Sequence, residues 1–211
     1  MKSVFSFSRL VFGFLALNLF ASLALAGAFK EEEAIFNGKD LGGWVVENGG
    51  QFSVREGTLR IDRGTGWLRS EEVFGDFALR IEFRFLEEGA NSGIFVRTGS
   101  TSHESETGYP NNGYQIQCFD TLEGDNPIAT LIDYGAPPFE QSYDLEDLKK
   151  AYRPAGEWQS YDIVCVGESM KIWYNGSPVV TAGSIKNLEG HVGIQGELGL
   201  LEFRKFEITR L

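Results

Sequence analysis

Three short segments place chemically useful side chains at alternate positions. In Tyr114-Gln115-Ile116-Gln117-Cys118-Phe119 an extended backbone puts Gln115, Gln117 and Phe119 on one face and Tyr114, Ile116 and Cys118 on the other. In Ile94-Phe95-Val96-Arg97 the aliphatic pair opposes Phe95 and Arg97, and in His191-Val192-Gly193-Ile194-Gln195-Gly196-Glu197 the pair Val192 and Ile194 opposes His191, Gln195 and Glu197. Each segment therefore offers an apolar side to a core and amide, charged and aromatic groups on the reverse. Amides and guanidinium groups bind hydroxyls while an aromatic face packs on C–H surface, so this shared face suits a sugar. The same parity also describes an ordinary solvated strand face, and spacing alone does not separate the two readings.

Other chemistries lack their patterns. There is no Gly-x-Ser-x-Gly elbow, no Walker loop and no dinucleotide fingerprint between a strand and a helix. With only two histidines, His103 and His191, and no Cys/His cluster, a zinc site of the usual kind is not expected. Glu123-Gly124-Asp125-Asn126 could offer oxygen ligands to a divalent ion such as calcium, but reads better as a solvated acidic loop, so no cofactor is expected. Acids at alternate positions of one strand would mark a retaining glycosidase; the comparable strand here has Gln115 and Gln117. A net charge of −11 over 211 residues repels a phosphate backbone, so nucleic acid is not an expected partner.

The elements that must hold these residues read as strands. Asp76 to Phe85 alternates without a break, with Phe77, Leu79, Ile81, Phe83 and Phe85 on one face and Arg80, Glu82 and Arg84 on the other. Further runs lie at Phe52–Val54, Thr58–Ile61, Ile94–Arg97, Tyr114–Phe119, Tyr161–Val166, Met170–Tyr174, Val179–Thr181, Val192–Gln195 and Leu201–Ile208. Asn175-Gly176 predicts a tight hairpin turn, a better reading than a glycosylation acceptor. Thr121 to Glu157 is the longest stretch without strand character and holds a predicted short helix around Leu145–Tyr152. Many strands, no strand–helix alternation and 26 glycines point to one all-β domain, a two-sheet sandwich of jelly-roll type. Trp44, Trp67, Trp158 and Trp173 read as core residues more readily than as sugar platforms. Cys118 and Cys165 sit at apolar strand positions and read as buried thiols; a disulfide requires their Cα atoms to lie close.

The N-terminal segment has Lys2 and Arg9, then an apolar run from Leu10 to Ala26 ending in Ala24-Leu25-Ala26. This predicts a signal peptide over residues 1–26, with residues 27–211 forming the exported domain, periplasmic or extracellular and without stable membrane insertion after cleavage. No Cys follows the leader, so lipid attachment is not expected.

Several ordered motifs resemble the 3-keto-disaccharide hydrolase domain family of exported bacterial proteins. They are Ile35-Phe36-Asn37-Gly38-Lys39-Asp40-Leu41-Gly42-Gly43-Trp44, Gly75 to Phe83, Asn91-Ser92-Gly93-Ile94-Phe95-Val96-Arg97, Gly113-Tyr114-Gln115-Ile116-Gln117, Pro154 to Trp158, Trp173 to Gly176, and Gly193-Ile194-Gln195-Gly196-Glu197 with Leu201 to Arg204. The resemblance implies a concanavalin A-like lectin/glucanase sandwich acting on glycosides oxidised at C3, with an oxidised mono- or disaccharide as substrate. A ketone there acidifies the C2 proton, so a base, an acid and donors to an enolate would be needed. On this footing Glu197, or Asp120, is the candidate base and Tyr134 the candidate acid. Arg97, Gln117 and Gln195 would orient substrate or stabilise oxyanion charge, with Gln115, Phe95 and His191 on the same polar face. Family members often carry Glu where this chain has Gln115, and His near the final motif where it has Gly196-Glu197. Catalysis would therefore rest on Glu197 or be lost, which leaves a carbohydrate-binding module or a conventional glycosidase as rival readings.

Overall fold

The computed structural model of the protein describes residues 27–100 and 108–211; the leader and His103 lie outside the described residues. Two antiparallel sheets face each other. The larger is built from β1 (Glu33–Ala34), β3 (Gln51–Arg55), β4 (Thr58–Arg63), β6 (Phe77–Phe85), β10 (Glu140–Tyr143), β11 (Gln159–Val166), β12 (Ser169–Tyr174), β13 (Ser177–Gly183) and β15 (Leu201–Arg210), in the order β10-β13-β12-β11-β6-β15-β4-β3 with β1 alongside β15. The smaller runs β2-β5-β14-β7-β8-β9, from β2 (Trp44–Asn48), β5 (Gly66–Ser70), β7 (Asn91–Thr98), β8 (Gly113–Phe119), β9 (Leu131–Tyr134) and β14 (His191–Gly196).

The predicted alternation explains the core. Phe77, Leu79, Ile81, Phe83 and Phe85 of β6 are all sealed, while on the reverse Arg80 meets Asp162, Arg84 meets Glu202 and Glu82 meets Arg204. From the smaller sheet, Ile94, Val96, Tyr114, Ile116, Cys118, Val192 and Ile194 join the same apolar cluster. Asn175 and Gly176, both at positive φ, make the β12–β13 hairpin. Cys118 lies in the smaller sheet and Cys165 in the larger; both are free, buried thiols, and burial pushes Cys165 up to about 12.

The long connection is more ordered than its composition suggested. Residues 121–157 contain β9, β10 and a short helix α1 (Leu145–Ala151), whose first turn is capped by Asp144 accepting from Glu146 N at 2.7 Å. Strands β2 and β5 also carry no clean period-two signal, because β5 is buried on nearly every side chain. Among the described residues no helix is long and apolar enough to cross a membrane.

One departure from strand parity removes a predicted site residue. The β14–β7 register steps from His191↔Thr98 to Gly193↔Phe95, so Val96 and Arg97 together face Val192 alone, and Arg97 has φ +51°. This bulge turns Arg97 away from the face it would share with Phe95. Its fully buried guanidinium donates to the carbonyls of Gly167 at 2.6 Å, Asn187 at 3.2 Å and Gly75 at 3.2 Å, and to Asp76 Oδ1 at 3.0 Å. Asp76 Oδ1 also accepts from Gly167 N at 2.9 Å. Arg97 is therefore a rivet joining one end of the smaller sheet to the β11–β12 turn and the start of β6, not a group for orienting a ligand.

Removing the sealed guanidinium leaves three carbonyls and the half-exposed Asp76 carboxylate without their donor. Arg97→Ala is expected to lower the unfolding free energy by roughly 2–4 kcal/mol in urea titrations. A change below about 1 kcal/mol, within the range of surface pairs, would contradict the rivet.

Candidate active site on the outer face of the smaller sheet

The face of the smaller sheet that points away from the main core has a core of its own. Trp67, Phe95 and Tyr109 form a second buried cluster, with Tyr134 packed against it. Phe95 meets Trp67 edge-on at 5.5 Å between centroids and Tyr134 at 5.2 Å, while Tyr109 and Tyr134 lie 5.9 Å apart. Cross-strand register explains the grouping: Gln195 pairs with Trp67, Phe95 with Gln115, and Gly93 with Gln117.

Two glycines make this packing feasible. Gln115 on β8 and Gln195 on β14 are separated by β7, where a Cβ on Gly93 would stand 1.6 Å from Gln115 Nε2. Over the bare Gly93 the Gln115 amide crosses the strand and donates to Gln195 Oε1 at 2.6 Å and to the Ser92 carbonyl at 3.4 Å. Gln195 Nε2 then donates to the Tyr134 hydroxyl at 3.1 Å. Gly193 does the same for Trp67, whose ring would lie 2.8 Å from an added Cβ.

At the end of β14 the chain presents Glu197. Paired backbone hydrogen bonds between Asn91 and Leu198 hold this turn, and Asn91 Nδ2 donates to Glu197 Oε2 at 2.9 Å. The residue is exposed, yet enough protein surrounds its carboxyl for desolvation to hold it above the ordinary glutamate range. Its charge reaches the two phenols. Tyr134 is pushed up to about 12, by desolvation first and by Glu197 second, against a lowering hydrogen bond from Gln195. Tyr109 is raised for the same leading reasons, and its hydroxyl donates to the Gly196 carbonyl at 3.0 Å. At neutral pH the site thus offers a carboxylate that can take a proton and, within its electrostatic reach, a phenol that can give one.

The outward face is as parity predicted, but its amides are sealed. Gln115, Gln195 and Phe95 are at most 1% exposed, so they support the surface groups and do not touch a ligand. Gln117 is also buried, and its Oε1 accepts from Cys118 N at 3.1 Å, outside the amide relay. His191 lies four positions along β14 from Gln195, roughly 13 Å away. Its Nδ1 is 3.0 Å from the Glu72 carbonyl, and burial with the charge of Arg69 pushes its pKa down. Asp120 is a clasp: Oδ1 accepts from Tyr152 Oη at 2.7 Å and Oδ2 from Gly89 N at 3.1 Å. The relay thus joins Gln115, Gln195 and Tyr134, with the charge of Glu197 reaching Tyr134, and leaves out Arg97, Gln117, His191 and Asp120. Tyr109, Asn91 and Trp67 complete the site without having been singled out for it. The glycines at outward positions 93 and 193 were the available signal for overlying side chains. Residues 123–126 are exposed, and among the described residues no three His, Cys, Asp or Glu side chains gather as metal ligands.

Comparison with known proteins agrees with this architecture. The model of the 3-keto-alpha-glucoside-1,2-lyase-like domain matches residues 31–209. Two structures from Parabacteroides distasonis ATCC 8503, both provisionally described as glycosyl hydrolases, superpose with TM-scores of 0.64 and 0.59 at 19% and 17% identity. The alignments cover 86% and 85% of this chain and 100% and 94% of theirs. A Bacillus subtilis protein of unknown function with a galectin-like fold superposes with a TM-score of 0.59 at 14% identity, covering 86% of this chain and 95% of its own. The fold is accordingly a concanavalin A-like jelly roll. No curated protein matches the sequence.

Because Gln115 fills the space above Gly93, Gly93→Ala must expel the amide or distort β7. Its expected cost is about 1–3 kcal/mol in chemical unfolding, whereas Gly99→Ala, with open space around its Cα, changes little. Equal effects of the two substitutions would contradict the crossing.

Proposed function

We propose that this chain, which belongs to the 3-keto-alpha-glucoside-1,2-lyase-like domain family of carbohydrate-active proteins, cleaves glycosides whose sugar carries a ketone at C3. The observation that carries the reading is Glu197, the one carboxylate among the described residues held above its ordinary range, within electrostatic reach of the protonated phenol of Tyr134, which Gln195 holds at 3.1 Å. Ordinary glycoside hydrolysis asks for two free carboxylates flanking C1; among the described residues Glu197 is the carboxylate whose charge reaches the phenols, while Glu47, on the same face beside Trp67, is held by Arg69 at 2.8 Å. A 3-keto sugar asks for less, because the ketone makes C2–H acidic.

Glu197 takes the C2 proton, and the C–H electrons pass into the enolate of the C3 ketone. Collapse of the enolate restores the ketone, forms C1=C2 and breaks the C1–O bond. The departing oxygen takes its proton from Tyr134, and the resulting phenolate regains one from Glu197 or water. Addition of water across C1=C2 then completes a net hydrolysis, while release before addition gives a lyase product. The apolar N-terminal leader supports placing this activity outside the cytoplasm, in the periplasm or beyond.

The test is to incubate the protein with 3-keto-glucosides, 3-keto-trehalose and the unoxidised sugars, following aglycone release. Turnover confined to the keto sugars is the expected result. Binding without turnover would replace the reading by a carbohydrate-binding module, and cleavage of unoxidised glycosides by a conventional glycosidase.

Glu197 supplies two further expectations. As a base it must be ionised, so kcat/KM should rise with pH through a pKa above the ordinary glutamate range, and Glu197→Gln should cut kcat by at least about a hundredfold. Because folding raises this pKa, the folded protein holds the proton more tightly than the unfolded chain, and the ionised group works against folding at neutral pH. Glu197→Gln should therefore be no less stable than the parent at pH 7 in urea titrations. A variant with unaltered kinetics, or one that loses activity only by unfolding, would remove Glu197 from the mechanism.

A further inference from the structure

Gln115 is too deeply buried to touch a substrate, yet it is the head of a hydrogen-bond chain that ends on the proposed acid. A primary amide has two distinct ends, a donating nitrogen and an accepting oxygen, so a chain of amides has a direction. The direction here starts at the backbone. The Ser92 carbonyl can only accept, and it faces Gln115 Nε2 at 3.4 Å. That nitrogen also donates to Gln195 Oε1 at 2.6 Å, which turns Gln195 Nε2 toward Tyr134. Once Tyr134 Oη accepts from Gln195, its own proton has to point out of the relay.

The reverse arrangement would cancel the acid. Were Gln195 flipped, its Oε1 would face Tyr134, and the phenol would donate its proton inward. The observed direction leaves Gln115 Oε1 buried with no hydrogen-bond partner. A buried unmet acceptor is costly, but a flipped Gln115 amide would set its Oε1 against the Ser92 carbonyl and leave Nε2 in the unpartnered position instead.

Resting on the acid role given to Tyr134 above, we infer that Gln115 is a positioning residue: across the gap above Gly93 it fixes the Gln195 amide so that the Tyr134 hydroxyl is free to protonate the leaving oxygen. Gln115→Glu tests the direction without changing shape when measured at a pH high enough to ionise the buried carboxyl, because the carboxylate accepts where the amide donated and would draw Gln195 Nε2 to itself. Gln115→Met, which fills similar space without a donor, releases Gln195 from the same constraint.

Two measurements decide the matter. In protein carrying 15N-glutamine, the Gln195 side-chain amide protons should show NOEs to the Tyr134 ring Hε protons, and both Gln115 variants should lose them. In kinetics, a methyl 3-keto-glucoside needs its leaving oxygen protonated and a 4-nitrophenyl 3-keto-glucoside does not. Each Gln115 variant should raise the kcat preference for the nitrophenyl substrate by at least about tenfold, a part of the effect typical of general acid catalysis. In a Tyr134→Phe background the same Gln115 changes should add nothing to that preference, because the group they act through is gone. Retained NOEs, equal losses on the two substrates, or a preference that multiplies in the double variants would each overturn the inference. Failure of the parent protein to turn over either keto substrate would sink the functional reading instead, and the NOE comparison would still judge the relay.

Discussion

The amide nitrogen of Gln115 reaches Gln195 only because nothing stands above Gly93 on the strand between them. Much of the smaller sheet's outer face depends on that gap. A strand face that meets solvent can carry almost any polar side chain, but once aromatic rings cover it, each amide beneath must find partners or bear an uncompensated desolvation. Here Trp67, Phe95 and Tyr109 supply the cover and the two glutamines meet most of each other's needs. The smaller sheet is consequently buried on both sides, and its outer layer gives Tyr134 a stiff support on the edge strand β9.

This explains which features were legible from residue order. Alternation in β6, the Asn175-Gly176 turn and the sorting of Gln115, Gln195 and Glu197 onto one face are local properties of an extended backbone, and they appear as expected. Arg97 was misassigned because parity holds only while pairing is regular, and the β7 bulge depends on register with β14, distant in sequence. The burial of Gln115 and Gln195 was equally out of reach, since it depends on rings contributed by β5, β7, β9 and the residue Tyr109 before β8. His191 and Asp120 share the face or its edge, but strand length carries the first away and Tyr152 engages the second.

The chemistry divides between an inner and an outer layer. Amides and aromatics sit inside, where fixed partners hold direction; Glu197 and Tyr134 lie at the surface, where a substrate can reach them. Desolvation acts on each differently: it weakens Glu197 as an acid, which strengthens it as a base, and it keeps Tyr134 protonated at neutral pH. A carboxylate of this modest basicity suits removal of a proton already acidified by a neighbouring ketone. Arg97 belongs to neither layer; with Asp76 it secures the end of the sandwich on which the arrangement rests.

The central claim is that bond cleavage begins with loss of the C2 proton. It is tested most directly with a 3-keto-glucoside carrying deuterium at C2, by comparing rates and following the label in product and solvent. The account predicts a primary isotope effect on turnover and release of deuterium to water. Full retention of deuterium at C2 with no isotope effect, as in direct displacement at C1, would contradict it.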